Sequence, residues 1–535
     1  TKMRSVLLFF CLVLFGSGAL AQAGWLPLSR DVEMPYATAQ QAYRSNEHTA
    51  IRPYRRKDIS LLKGADTLRP EAALNVLDKW AGATDGRKFR WGPLVDANGG
   101  YDTGAEGAAI YRGGGGFWTD YNVNDKLTFH LDGQAWSERY ANYVDTLIRA
   151  TQVTPGEGYA YGSKPNYAHY DWNGYVSWDA SKYFNFTFGK GKNSFGEGYR
   201  SLFLSDEAYS YPYLKITTSV WHVKYVNLFT MMSDIRGANG VASDYRKKYA
   251  SMHYLSYNVT PRINFAVFEG IVFSAGDSLY PRGFDMNYVN PVLFYRPTEY
   301  NIGSPDNALL GVAINVKAGK HVLVYSQMML DEMLFFRVRE GRGWYANKQA
   351  LQLGIVARDV FKVKGLTLRV EWNYIRPFIY THSDTRQNYA QFGQPLAHPY
   401  GSNSNEFILQ ADLLKGRMRY SVHTSYAILG MDTGAYSYGN NIFRPENERP
   451  LNDEGKPDDF GYYMGAVADM GLFHGEIRAG YLLDPATATR LEASALIRSA
   501  SSTLGTNTMD LVFRLGVVCY FRDRHVEQQV RYKLP

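Results

Sequence analysis

Residues 366–374 read LTLRVEWNY. Leu366, Leu368, Val370, Trp372 and Tyr374 share one parity; Thr367, Arg369, Glu371 and Asn373 share the other. Side chains alternate across a strand, so the stretch predicts a strand with one apolar face and one face carrying ionisable groups. The pattern recurs. Leu127, Phe129 and Leu131 alternate with Lys126, Thr128, His130 and Asp132, and Phe184, Phe186 and Phe188 with Asn185 and Thr187. Leu351, Leu353 and Ile355 alternate with Gln352 and Gly354, with Arg358 further on. Leu511, Phe513, Leu515, Val517, Cys519 and Phe521 alternate with Asp510, Arg514 and Gly516.

A water-soluble sandwich also alternates. Two features favour a barrel in a membrane. The segments recur at about ten residues, the length that crosses a bilayer at a tilt. Tyr and Trp gather near segment ends, as at Trp372, Tyr374 and Tyr520, where interfacial girdles form. In lipid, only a closed barrel satisfies the backbone groups of strands. The predicted fold is therefore all-β, a transmembrane antiparallel β-barrel of about 18 strands, roughly 16–20 allowing for boundary error.

The turns fall into two classes. Short ones are expected near 258–261, 317–320, 362–365 and 414–416, and long ones near 139–169, 191–212, 274–305, 330–347, 375–403 and 427–458. Short periplasmic turns and long outer loops are the habit of outer-membrane barrels. With every short turn periplasmic, the count leaves the C-terminus outside the cell, unless a further strand lies near Lys88 to Val95 or the last hairpins change parity.

The start resembles a secretory signal. Arg4 supplies the positive end, Val6 to Phe15 the apolar core, and Ala19-Leu20-Ala21 a cleavage site. The expected organisation is a signal peptide at 1–21, an N-terminal periplasmic or lumen-capping segment at 22–98, a barrel at 99–521 and a tail at 522–535. A helix is expected over Pro70 to Trp80, with Ala73, Leu74, Leu77 and Trp80 on one face. After cleavage Cys519 would be the one cysteine left, so no internal disulfide can form. The formal net charge of +7 over 535 residues is small and scattered, which gives no reason to expect a nucleic-acid partner.

Gly113 to Gly116 has no following Lys and no helix signal, so it reads as a kink or close backbone approach in the wall, not as a phosphate cradle. Lys190, Lys192 and Arg200 beside Glu197, Asp206 and Glu207 suggest an ion network in the lumen or a solvated loop. Glu269 falls on the apolar parity of Ile263, Phe265, Val267 and Ile271, so it is expected above the hydrocarbon or turned inward by a bulge. Seven charges fall on the inward parity: Asp132, Arg358, Arg369, Glu371, Glu476, Arg478 and Arg514. They line a hydrated pore or pair into a plug, and their mixed signs favour a closed or narrow lumen. No H-E-x-x-H, cysteine cluster or G-x-S-x-G is present. The expectation is thus no enzyme, no metal and no cofactor.

The loop within Arg262 to Val312 is rich in aromatics and charge, and Pro281, Pro291, Pro297 and Pro305 would stiffen it. Aromatic rings stack on sugar rings while Asp, Asn and Arg bond hydroxyls. On that ground Tyr288, Asn290, Arg296, Glu299, Asp306 and Asn307 are the candidate ligand-binding residues.

Three stretches carry a family resemblance. Phe188-Gly189-Lys190 to Phe195-Gly196-Glu197-Gly198, with Leu204-Ser205-Asp206 behind it, resembles the Wzi-like capsule-assembly outer-membrane proteins. So does Phe268-Glu269-Gly270 followed by Tyr288-Val289-Asn290-Pro291, Tyr295-Arg296, Glu299 and Asp306-Asn307. Asn388 to Asn403, ending at Glu406, is similar to the RemB-type branch associated with gliding bacteria of the Bacteroidota. The resemblance implies an 18-stranded barrel in the Gram-negative outer membrane, a helical piece at its N-terminus, and a lumen filled by folded-in loops. It also implies contact with outer-membrane lipid and lipopolysaccharide, and a role in attaching or assembling surface (capsular) polysaccharide. The alternatives are an accessory subunit working with other outer-membrane proteins or lipoproteins in secretion, motility or barrel assembly, and a narrow diffusion pore.

Overall fold

The computed structural model describes residues 24–40, 45–60, 89–104, 107–276, 282–292, 306–332, 334–525 and 527. The signal segment and the helix expected over Pro70 to Trp80 lie outside them. Eighteen antiparallel strands close into one barrel. They are β1 Phe89–Asp102, β2 Ala108–Asn122, β3 Leu127–Arg139, β4 Asn166–Asp179, β5 Phe184–Gly191, β6 Tyr211–Val220, β7 Val223–Asp234, β8 Arg246–Thr260, β9 Ile263–Ser274, β10 Asn307–Lys317, β11 Val322–Glu332, β12 Lys348–Arg358, β13 Leu366–Ile375, β14 Ser404–Lys415, β15 Met418–Gly430, β16 Asp469–Asp484, β17 Thr489–Ser502 and β18 Asn507–Val518. Each strand pairs with the next, and β1 closes on β18 in register from Ala97 opposite Val517 to Asp102 opposite Val512. A barrel has no edge, which removes the unpaired N–H and C=O groups that lipid cannot satisfy.

The wall begins at Phe89, ten residues before the boundary expected at 99. This strand settles the parity conflict. With it the count is even, and the start of β1 and the end of β18 stand at the end of the barrel that carries the short turns. Pro93 and four residues that are Gly or Ala (Gly92, Ala97, Gly99, Gly100) flatten its alternation, which is why it is hard to read.

The outward parity is apolar and exposed: Phe117, Leu131, Ile314, Val324, Ile355, Val370, Phe407, Val422, Ile477 and Phe513 among others. Trp178, Tyr183, Phe184 and Trp221 ring the short-turn end. The wall is thus apolar outside and ionisable inside, the construction of a Gram-negative outer-membrane protein. In β2, Gly114 makes room for the Trp136 ring, and a Cβ at Gly116 would run into the Gly133 carbonyl of β3. The glycine run is a close approach in the wall.

The described N-terminal residues sit in the barrel mouth at the short-turn end. Helix α1, Arg30–Gln40, follows Trp25, whose N–H bonds the Tyr175 hydroxyl at 2.9 Å and whose indole bonds Ser177 at 3.2 Å. Ile51–Arg52 pairs with Ser194–Phe195 of the loop that joins β5 to β6. Arg55 pairs with Asp179 at the foot of β4. The tail after β18 also turns back inside: Arg522 meets Asp132 and Asp171, Arg524 meets Asp96, and His525 meets Glu207 at 2.9 Å. Its described residues are held within the barrel, not presented to a partner outside it.

Candidate functional site

Two contrasting fillings occupy the lumen. Along β6–β11 the filling is largely apolar, although Lys215 and Lys248 are buried there as well. Tyr213, Leu228, Met252, Tyr254, Phe268 and Met329 form one buried cluster with Phe195, Leu202, Phe203 and Leu204 of the 192–210 loop and Ile379, Tyr380, Tyr389 and Leu396 of the 376–403 loop. Phe203 stacks on Phe268 at 5.2 Å and Phe195 on Tyr254 at 4.9 Å. Several polar groups there tie the wall to the loops. Gln327 accepts from the Leu202 N–H at 2.8 Å, and the hydroxyls of Tyr380 and Tyr389 bond the carbonyls of Leu202 and Phe203 at 2.8 and 2.7 Å. This is the packing of a soluble domain's interior, enclosed by a membrane wall.

Along β1–β4 and β13–β18 the filling is ionic. Arg112 of β2 bonds Glu138 at 2.8 Å and forks onto Glu157 at 2.8 and 3.0 Å. Arg200 meets Glu207 at 3.2 Å, Glu406 at 3.0 Å and Glu527 at 2.6 Å. Arg490 bonds Asp31 of α1 at 2.9 Å and Glu492 at 2.7 Å. Between these groups lies a cavity of about 240 Å³, bounded by α1, the tail and the wall. On α1, Glu33 is pushed up to about 8, because burial outweighs the pull of Arg52 at 3.6 Å. One of its carboxylate oxygens has no hydrogen-bond partner.

The seven inward-parity charges all face this interior. Asp132 holds His130 at 3.1 Å and meets Arg522. Arg369 donates to the Glu197 carbonyl at 2.9 Å and the Tyr325 hydroxyl at 3.1 Å. Glu371 accepts from Tyr325 at 2.6 Å and from the backbone N–H groups of Tyr199 and Arg200 at 2.6 and 3.0 Å. Arg478 lies 3.7 Å from Glu476, and Arg514 lies 3.8 Å from Glu138. Arg358 lines the cavity. In the 189–207 stretch Lys190 pairs with Asp171 at 2.9 Å and Arg200 with Glu207, so its charges form lumen pairs.

The loop candidates separate. Tyr288 is fully buried and donates to Asp306 at 2.7 Å, while Arg282 bonds Asp306 at 2.9 Å and Asp285 at 2.6 Å. The ring of Tyr288 packs on Ile271 and Phe273, whose side chains are on the outward parity of β9. The Asn290 carbonyl faces the His253 ring at 3.1 Å, and its side chain accepts from the Val292 N–H at 3.0 Å. Asn307 points the other way and donates to the Gln387 carbonyl of the lumen loop at 2.9 Å. Arg296 and Glu299 lie outside the described residues. The described part of this loop is thus laid over the outside of the wall at β7–β9. It resolves the Glu269 conflict by a third route. Glu269 keeps its outward parity without a bulge, stands 3.4 Å from His253, and is covered by the loop.

Sequence reasoning missed a surface at the long-loop end. The 334–347 loop, with helix α2 at Phe335–Glu340, is tied to the 431–468 loop by backbone bonds from Tyr345 to Asp459, Gly461 to Arg342 and Tyr462 to Gly343. Aromatic rings and guanidinium groups interleave there. Arg342 lies 3.9 Å over Phe460, Arg449 lies 3.3 Å over Tyr345, and Arg337 contacts the rings of Phe336, Trp344 and Phe460. Phe335, Phe336, Tyr436 and Tyr463 are exposed beside Asp459 and Glu448. The loops lie about a hundred residues apart in sequence, and their composition resembles that of the other long loops, so no local signal marks them.

The fold defines the class: a closed outer-membrane barrel whose lumen is filled by its own chain. Among solved structures, this chain is similar to Wzi, an outer-membrane protein involved in group 1 capsule assembly in Escherichia coli, described as a carbohydrate-binding β-barrel. The TM-score is 0.55 at 14% identity, covering 92% of this chain and 99% of that one. OprD of Pseudomonas aeruginosa aligns with a TM-score of 0.42 at 8% identity over 82% of this chain and 95% of that one. No protein-family model and no curated protein matches the sequence.

Proposed function

We propose that this protein is a non-enzymatic outer-membrane barrel that binds surface polysaccharide, of the capsular kind, and helps to assemble it at the outer leaflet. The observation that carries the reading is the exposed ledge of aromatic rings, arginines and carboxylates on the 334–347 and 431–468 loops, set above a filled lumen. Rings offer faces to sugar rings, and the charged groups bond hydroxyls and acidic sugars. The Wzi-like resemblance of the sequence points the same way. In this reading Tyr288, Asn290, Asp306 and Asn307 hold their loop to the wall and the lumen filling and do not contact sugar, while Arg296 and Glu299 stay candidate sugar contacts on side-chain chemistry alone.

The test is retention of purified capsular polysaccharide by the detergent-solubilised protein. A combined Trp344→Ala, Phe460→Ala, Tyr463→Ala variant that still folds should lose binding at least about tenfold, since each aromatic contact contributes about 0.5–1.5 kcal/mol. Undiminished binding would overturn the assignment of the ledge.

The RemB-type similarity of Asn388 to Asn403 supports a second reading, an accessory subunit serving motility or secretion. Fixed-ratio co-purification with another outer-membrane protein or lipoprotein would favour it over free polysaccharide binding.

A further inference from the structure

Beyond the polysaccharide ledge, the ionic half of the lumen holds a group of residues that its ion pairs do not explain. His423 of β15 and His474 of β16 both point inward. In register His423 is opposite Glu476 and His474 opposite Ser425, so the rings are diagonal neighbours, with centroids 5.5 Å apart. Glu527 of the tail comes in above them, its carboxylate 3.4 Å from His423 Nε2. The ligand atoms of the three all lie within 4.8 Å of one another.

His474 is fully buried, and neither of its ring nitrogens has a hydrogen-bond partner. Leaving a buried polar group unpaired costs about 1–3 kcal/mol, and such a group calls for an explanation. His423 Nε2 is likewise unbonded. Its Nδ1 stands 2.9 Å from the Gln410 amide. The atom placed there is the amide nitrogen, which donates to Nδ1; a metal at Nε2 requires the amide to turn by 180°, so that its oxygen accepts from Nδ1–H and fixes the ligand tautomer. The Glu527 carboxylate is shared by Arg200 at 2.6 Å, while Glu406 also holds His398 at 2.9 Å, Glu207 also holds His525 at 2.9 Å, and Arg498 donates to the Glu527 carbonyl at 3.2 Å, so a bound cation is flanked by carboxylates and cations in near balance.

We propose that His423, His474 and Glu527 bind one divalent transition-metal ion of the zinc class. Two imidazoles and a carboxylate suit that class, and the adjoining cavity, which His423 and Glu527 both line, leaves a fourth position for water. The ion ties the C-terminal tail to β15 and β16 and so fastens the ionic filling of the lumen.

The experiment uses the full-length protein, folded in detergent, stripped with chelator and titrated with Co²⁺ and then Zn²⁺. The expected result is one equivalent of Co²⁺ with visible d–d absorption, displaced by Zn²⁺. H474A should weaken binding at least about tenfold, a loss already seen when mere supporting groups are removed from metal sites. E527Q alters only the tail, leaves the wall intact and should weaken binding as well, so the test stands even if H474A does not fold. No spectral change on Co²⁺ addition, or a stoichiometric signal that E527Q leaves unaltered, would overturn the assignment and leave ordered water as the partner of His474.

Discussion

The two halves of the lumen solve one problem by different physics. Along β6–β11 the wall is lined by Leu228, Met252, Phe268 and Met329 against Leu202, Phe203, Tyr380 and Leu396. Burial of apolar surface holds that half, at about 25 cal/mol per Å². Along β1–β4 and β13–β18 the wall is lined by Asp96, Arg112, Glu138, Glu492 and Arg514 against α1 and the tail. A buried ion pair gains little net stability over an apolar pair, yet losing one partner is severe. The apolar half should therefore tolerate changes that keep volume, whereas the ionic half is vulnerable to any change of charge and retains a cavity.

The largest expected effect breaks the ionic half. Arg112→Met removes the cation that Glu138 and Glu157 share, leaving Glu138 with Arg514 at 3.8 Å and Glu157 with His169 at 2.7 Å, and should cost about 3–5 kcal/mol, read as a lower urea midpoint of the folded band on unheated gels. Next, Leu228→Ala empties a fully buried position in the apolar half and should cost about 3 kcal/mol, by the same assay. The double variant sharpens the contrast. If the halves are independent fillings, the two costs add to within about 0.5 kcal/mol; a larger coupling would mean that they form one cooperative core.

A third effect is one of pH. Burial raises Glu33 from an ordinary 4.5 to about 8. The folded state then holds the proton more tightly than the unfolded chain, so this group's contribution falls as pH rises between those values and is fully present only below about 4.5. Glu33→Gln should flatten the decline in stability between pH 5 and pH 8, read as a urea midpoint followed against pH. A slope unchanged by the substitution would show that Glu33 is ionised in the fold.

Much of the fold is legible because parity is a local signal. Thr367, Arg369, Glu371 and Asn373 announce an ionisable interior with no knowledge of any partner. The strand from Phe89 escapes because Gly92, Pro93, Gly99 and Gly100 erase the contrast between faces. The partners inside the lumen are illegible for a different reason. Arg200 and Glu406 stand 206 residues apart and meet only after closure. The aromatic loop before Asn307 was legible as packed but not as to its place. Tyr288 and Phe284 spend their rings on Ile271, Phe273 and Tyr249, covering polar wall residues that would otherwise face lipid. Rings that brace and rings that bind have the same composition, so the ledge of half-buried Trp344 and Phe460 and exposed Tyr463 emerges only when two distant loops are brought together.

The most direct test of the central claim, that the lumen is a filled interior and not a passage, is single-channel recording of the pure protein in a planar bilayer. A filled lumen gives a flat baseline at moderate voltage, because loops 192–210 and 376–403 are packed into the apolar half and ion pairs occupy the other. Steady, ohmic steps of the size given by open barrels would contradict it.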